Sequence, residues 1–373
     1  MKTFTYLLTA SALCAAVSPA SAFLAFDDNA ELFVTGTAEV RRDNNIFLSP
    51  TDQDDTVFEF KPGLDLVFGN ASVLQGSLSL SESFTTYADH DDLNDELLST
   101  SFNSRYDDGK SKVSLNASFN ELNQNTVDTL PIVGTRDGLI RRDVLNLGGT
   151  GEISITEKSS VSAGVQYNRA DFKRSGFSDS QSVALPVNYY YEMTAKLDLS
   201  LGYRFRQKWE GIGQDTKDHF FNIGARGEFT PKLSGNIAVG LTQRDFETRD
   251  DASLFGIDSS LSYAVSPKTS LQFGVSNDFD TNSQGQQQKN FSVRISGRSK
   301  ISEQWSITTA VSYRKIDYYT RVDDYYEGQV GVTYTASRNL DVSAGLALRS
   351  NKSDLPTSEF DNNVLSLAAH LRF

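Results

Sequence analysis

Apolar and polar residues alternate with a period of two along most of the chain, in short runs separated by turn residues. Leu32, Val34, Ala38 and Val40 make the first run. Phe58, Phe60, Leu64, Leu66 and Phe68 make the second and turn at Gly69-Asn70 into Leu74, Leu78 and Leu80. In the second half the pattern tightens. Val183, Leu185, Val187, Tyr189 and Tyr191 turn into Leu197, Leu199, Leu201, Tyr203 and Phe205. Phe221, Ile223, Ala225 and Phe229 turn at Pro231 into Leu233, Ile237, Val239 and Leu241. Successive side chains of a strand point to opposite faces, so each run predicts a strand with one apolar and one polar face. Each run is about the 9–11 residues that a tilted strand needs to cross a bilayer. The tally predicts about eighteen such strands, with sixteen as the alternative.

The runs also repeat as hairpins. Lys158, Lys196, Lys232, Lys268, Gln304 and Asn339 occupy equivalent tight turns about 36 residues apart, each followed by a small-apolar-small-apolar strand. A period of that length also occurs in helical solenoids, but the residues between the turns alternate by two rather than 3.6. Between the short turns lie long polar connections: Arg42–Asp55, Thr85–Leu97, Glu121–Ile140, Asn168–Ser182, Gln207–Asp218, Gln243–Ser253, Asn277–Lys289, Ile316–Asp324 and Ser350–Asn362. Short turns at one end and long loops at the other are the asymmetry of an antiparallel up-and-down transmembrane β-barrel, with both termini at the short-turn end. Tyr189-Tyr190-Tyr191, Phe220-Phe221, Tyr318-Tyr319 and Tyr325-Tyr326 are expected near the long-loop ends of strands. Trp305 and Phe229 are expected by the short turns, giving two aromatic girdles.

The two ends place this all-β barrel in a compartment. Lys2, the apolar run from Phe4 to Val17, and the small-x-small site at Ala20 and Ala22 read as a secretory signal over residues 1–22, leaving 23–373 as the barrel domain. Cys14, the one cysteine, lies in that apolar run, so the exported part has no thiol for disulfides or metal. At the other end Leu365, Leu367, Ala369, Leu371 and Phe373 alternate to a terminal aromatic, in the manner of the β-signal read by the barrel-assembly machinery. The expected location is the outer membrane of a Gram-negative-type cell, with outer-membrane lipid and lipopolysaccharide as surroundings.

Composition narrows the function. With 48 acidic against 35 basic residues the chain is a poor partner for nucleic acid. Its 24 Phe and 15 Tyr are too many for a disordered chain. If the apolar positions face lipid, their neighbours line the lumen. Arg204, Arg206, Arg226, Arg244, Arg294, Arg298, Arg314, Arg349, His370 and Arg372 then recur on the inner wall. Two readings stay open: a basic lumen that guides anionic or hydroxyl-rich solutes, or Arg–carboxylate pairs that hold the wall in shape. The acidic run Asp89–Glu96 lacks the turn glycine of a compact calcium loop and reads as a solvated loop. His90, His219 and His370 are too scattered for a metal cluster. Asp218-His219 and the residues around His90 are the only hydrolase candidates, and exposed loop positions are expected for both. No catalytic residue, metal or cofactor is assigned.

The early strand running through Ala38-Glu-Val-Arg-Arg-Asp-Asn-Asn-Ile-Phe-Leu48, the Thr/Ser-x-Lys hairpins and terminal Phe373 resemble the putative β-barrel porin 2 family. That resemblance implies an outer-membrane barrel associated with exopolysaccharide gene clusters, passing or exporting polysaccharide or small hydrophilic solutes. The competing class is a structural or surface-interaction barrel with a plugged lumen.

Overall fold

The computed structural model describes residues 22–26, 29–70, 72–129, 138–247, 250–318 and 321–373. The proposed signal, with Ala20, therefore falls outside the described residues, as does Tyr319; Ala22 is the first residue described. The strands are β1 (Leu24–Phe26), β2 (Ala30–Asp43), β3 (Asp55–Phe68), β4 (Leu74–Tyr87), β5 (Asp95–Asp107), β6 (Ser111–Asn123), β7 (Arg141–Thr156), β8 (Ser159–Phe172), β9 (Ser180–Thr194) and β10 (Leu197–Glu210). They continue with β11 (Thr216–Thr230), β12 (Leu233–Phe246), β13 (Ala252–Ser266), β14 (Thr269–Thr281), β15 (Gln287–Lys300), β16 (Trp305–Asp317), β17 (Val322–Thr335), β18 (Leu340–Ser353) and β19 (Phe360–Arg372).

From β2 to β19 each strand pairs antiparallel with the next, and β19 returns to β2, with Leu367 opposite Val40 and Arg372 opposite Thr35. The result is a closed barrel of eighteen long strands; three-residue β1 adds to the edge of β2 below the point where β19 ends. Closure leaves no free edge strand among the eighteen, which is how a sheet this large avoids edge-to-edge association. The seam is completed by Phe373, whose backbone N–H and C=O pair with Val34 at 2.9 and 2.8 Å.

Alternation sets the two faces as the sequence pattern requires. Leu199, Leu201, Ile223, Leu241, Ile295, Val311 and Leu365 are exposed on the outer face. Three details differ from the pattern. Phe220, Tyr318 and Tyr325, expected in an outer aromatic girdle, are buried inside, where Phe220 meets Arg204 and the tyrosines join an apolar cluster. The strands run 13–16 residues, longer than the apolar runs, because β-pairing continues beyond the apolar belt where both faces are polar and the periodic signal fades. Tyr189 and Tyr191 lie toward the short turn after β9, not at the long-connection end. The long connection precedes β9, so these tyrosines belong with Trp305 and Phe229.

The apolar cores are small and sit inside the long-connection end. Ile46 and Phe47, from the β2–β3 connection, pack on Val57 and Tyr87, with Leu93 and Leu139 against them. Leu48 and Val127, from two different connections, pack on Ile316, Tyr318, Tyr325 and Phe360. Hydrogen bonds tie the connections together: Asn125 Nδ2 donates to Phe47 O at 2.9 Å, Ser283 N to Asp128 O at 3.3 Å, and Ser178 N to Ser283 O at 2.7 Å. Burial pushes the Tyr318 phenol pKa up, with Asp128 and Asp323 adding to the shift, so it stays neutral in this packing.

Candidate functional site

The densest charge cluster of the inner wall lies on β10, β11, β12 and β14, with further charge on β15 and β16. Arg206, Asp218 and Arg244 are direct cross-strand partners on β10, β11 and β12. Both guanidiniums bind the one carboxylate: Arg206 Nε donates at 2.7 Å, and Arg244 Nε and Nη2 donate at 2.6 and 2.8 Å. Arg244 and Asp218 are fully buried and Arg206 nearly so. Asp278 on β14 accepts from Arg204 at 2.7 Å and Arg206 at 3.2 Å. Lys208 reaches Glu210 at 2.9 Å and Asp280 at 3.4 Å. Four cations thus meet four carboxylates. Strands β10 and β14 are not neighbours, so these bonds span the interior.

They can do so because the β14–β15 hairpin leaves the wall. Its tip passes under the β8–β9 and β10–β11 connections. There a Cβ on Gly285, at φ +75°, would lie 1.8 Å from Ile212 O. Only glycine permits that backbone approach. Backbone carbonyls of the hairpin accept from the facing wall: Phe279 O from Arg206 Nη2 at 2.8 Å, and Asp280 O from Arg244 Nη1 at 2.9 Å. Phe279 is buried beneath the Arg244 guanidinium, 4.9 Å from its ring centre. From the β6–β7 connection Asp128 also reaches inward and takes both Arg314 Nη atoms at 2.8 and 2.7 Å. A cavity of about 90 Å³ remains between hairpin and wall, lined by Arg204, Arg294, Arg314, Asp128, Asp258 and Asp278 among others. Toward the short turns a larger cavity of about 820 Å³ opens against β3–β8, lined by Ser77, Asn103, Asn116, Gln166 and Asn168. The geometry is a constriction at the long-connection end above a wider, amide-lined vestibule.

The predicted residues divide by partner. Arg204, Arg206, Arg244 and Arg314 converge on the constriction. Arg226 lies apart, holding Glu152 at 2.7 and 2.6 Å and Asp198 at 3.0 Å, with Tyr190 under its guanidinium at 3.3 Å. Arg349 reaches Glu327 at 3.4 Å. His370 bridges Thr37 and Ser343 at 3.1 Å on each ring nitrogen, and Arg372 lies over Phe33 at 3.8 Å. Arg294 and Arg298 on β15 have no carboxylate partner among the described residues. Leu365, Leu367 and Leu371 of the terminal strand are exposed on the outer face.

Asp218-His219 is a strand pair, not an exposed loop pair. Its two side chains point to opposite faces, as neighbours on a strand must. Asp218 faces the arginines within, while His219 stacks on Tyr203 outside and meets its hydroxyl at 2.8 Å. They form no dyad. His90 meets Asp55 at 2.8 Å beside the β4–β5 connection, where Asp55 also accepts the N–H groups of Ala88 and Asp89. Among the described residues no group of His, Cys, Asp or Glu could hold a metal. The sequence reading missed the acidic partners Asp128, Asp278 and Asp280, although Asp278 and Asp280 share the inner-face phase of Gln272 and Ser276.

The chain is similar in structure to outer-membrane protein OpdK of Pseudomonas aeruginosa, at 12% identity and a TM-score of 0.46, over 92% of this chain and 99% of that one. OccK2 of the same organism, in a crystal structure with glucuronate, gives 12%, 0.49, 94% and 100%. The Escherichia coli ferric-catecholate import receptor Fiu gives 10%, 0.47, 93% and 82%. None of the curated proteins compared matches the chain. Residues 210–373, from the end of β10 through β19, match the family putative beta-barrel porin 2, the one that the opening and closing motifs resemble.

Proposed function

We propose that the protein is a porin-like channel of the outer membrane, passing small hydrophilic solutes through a lumen narrowed by the β14–β15 hairpin. The observation that carries this reading is the inverted barrel: large apolar side chains ring the outside while charges and amides line the inside. A Leu, Ile, Val or Phe left in water forgoes roughly 1.5–3 kcal/mol of burial, so an apolar belt around the whole wall calls for an apolar solvent. Closed barrels meet it because every backbone donor and acceptor is used within the wall.

The preference for anions rests on Arg294 and Arg298: of the other seven predicted arginines six are neutralised by carboxylates, and the seventh, Arg372, lies over Phe33. Hydroxyl-rich chains are the second cargo the lining suits, through Asn103, Asn116 and Gln166; polysaccharide export is the form the family resemblance implies. A plugged barrel with partner-binding loops is the competing reading, favoured by the apolar clusters at the mouth. Planar-bilayer recordings of the purified protein decide between them. Discrete conductance steps, with an anion preference that Arg294→Gln plus Arg298→Gln abolishes and Arg226→Gln does not, are expected. A silent bilayer containing folded barrel favours the plug. An unchanged reversal potential in the double variant removes the anion assignment.

A further inference from the structure

The β13–β14 ladder starts at Ile257 opposite Asn277. Yet β13 begins five residues earlier at Ala252, and β14 runs four residues further to Thr281, still paired with β15. Two adjacent strands therefore fork, each keeping its other partner. At the fork Asn277 Nδ2 donates to Phe255 O at 2.6 Å, replacing a ladder bond with a side-chain bond. Beyond it the N–H groups of Phe279 and Thr281 are capped by the carboxylates of Asp278 and Asp280 at 3.0 and 2.8 Å. Donors of the separated strand are thus satisfied locally.

Continuing the observed register would set Asp278 opposite Gly256, Phe279 opposite Phe255, Asp280 opposite Leu254 and Thr281 opposite Ser253. Phe279 is in phase with Phe273 and Val275, which belong to the outer face, although it lies buried inside. Zipping the fork would carry Phe279 out of the lumen to a place beside exposed Phe255. It would also exchange capped donors for ladder bonds and leave Asp278 and Asp280 on the inner face. The Phe279 and Thr281 N–H groups thus have a partner in either pose, side-chain carboxylates inward and β13 carbonyls when zipped, as suits a two-state element.

We propose that residues 278–288, the part of the hairpin beyond the β15–β16 ladder, are a gate. Folded inward, the hairpin is latched by Arg206, Lys208 and Arg244 and narrows the lumen; zipped onto β13, it rejoins the wall and widens it. This rests on the channel reading, and the test separates the two. Ser178→Cys with Ser283→Cys joins neighbours of the inward pose. Ser253→Cys with Thr281→Cys joins register mates of the zipped pose, and neither pair removes a latching side chain. Each pair is placed in a Cys14→Ser chain, reconstituted, oxidised and scored on gels for disulfide formation, with heat-modifiability as the control for folding.

Both disulfides are expected to form. The oxidised 253–281 form should conduct roughly twofold or more above the oxidised 178–283 form, because the narrowest point governs flow. Both should converge after reduction. Failure of the 253–281 bond in folded barrel overturns the gate, and so does equal conductance of the two oxidised forms. Barrels that form both disulfides but conduct in neither state overturn the channel reading and support the two poses.

Discussion

Arg244 shows what alternation reveals about a residue and what it leaves hidden. The period of two fixes its face, but its partners are set by register and by a hairpin that arrives from outside its own strand pair. Asp218 follows from the first and the backbone of Asp280 from the second. Removing one member of a buried ion pair leaves the other desolvated and typically costs about 3–5 kcal/mol. Arg244→Met should therefore lower the urea midpoint of the folded barrel in lipid vesicles, while Arg244→Met with Asp218→Asn should recover part of the loss. Additive effects of the two changes would remove the pairing argument. Faces can be tested the same way. Leu199 and Val311 are exposed outside, Val239 shares their phase, and Ser200, Ala238 and Ser312 are their neighbours on the opposite phase. Arginine at the outer positions should cost about 2–4 kcal/mol near mid-membrane, and little at the inner ones, where water reaches it. Folded fractions in vesicles compare Leu199→Arg with Ser200→Arg and likewise the other two pairs. Inner variants that fold no better than outer ones would mean the register is wrong by one residue.

Elements were legible in the sequence wherever one face is apolar. The hairpin turns at Lys158, Lys196, Lys232 and Lys268 are where spacing predicts them, because a tight turn leaves little freedom to its residues. Legibility fails at the long-connection end for a physical reason. Strands there are polar on both faces, so pairing persists without a periodic signal. Asn277–Lys289 reads as a loop yet is mostly strand, turned into the lumen. The carbonyls that anchor it carry no sequence signature at all, since any residue could supply them. The terminal strand β19 is the opposite case, legible to its last residue. Phe373 pairs with Val34 through both backbone groups, so it closes the seam as well as carrying the proposed assembly signal. Deleting Phe373 should lower the level of folded protein in the outer membrane, and Leu371→Asp should do the same by placing a charge on the outer face. Fractionation with a gel assay for folding reads both, and normal levels of both variants would remove the assembly role. Gly285→Val tests the inturned element separately: a side chain cannot fit against Ile212 O, so the tip should lift and conductance rise while folded levels hold.

At the scale of the whole molecule, stability comes less from an apolar core than from a closed ladder. Among the described residues the buried apolar clusters sit at the mouth, and elsewhere the interior is mainly charge, amide and cavity, with single aromatics such as Phe33, Phe220 and Phe279 under arginines. Eighteen strands hold one another in sequence, and the ring is complete only when β19 meets β2. Opening any one ladder exposes two rows of backbone donors and acceptors at once. In a detergent micelle those groups find little water, so partial opening is costly and the barrel should either persist or unfold as a unit. Persistence has a direct signature. A closed barrel binds less dodecyl sulfate than an extended chain and is more compact, so unboiled protein should migrate faster on a gel than boiled protein. The mobile form should disappear over a narrow temperature interval, without a ladder of intermediates. Cutting the ring ought to remove the effect: a chain lacking residues 360–373, which are β19 and Phe373, should run at the boiled position without heating. Equal mobility of the full chain before and after boiling would show that the sheet does not stay closed in detergent. A β19-deleted chain that still shifted on heating would show that closure is not its source.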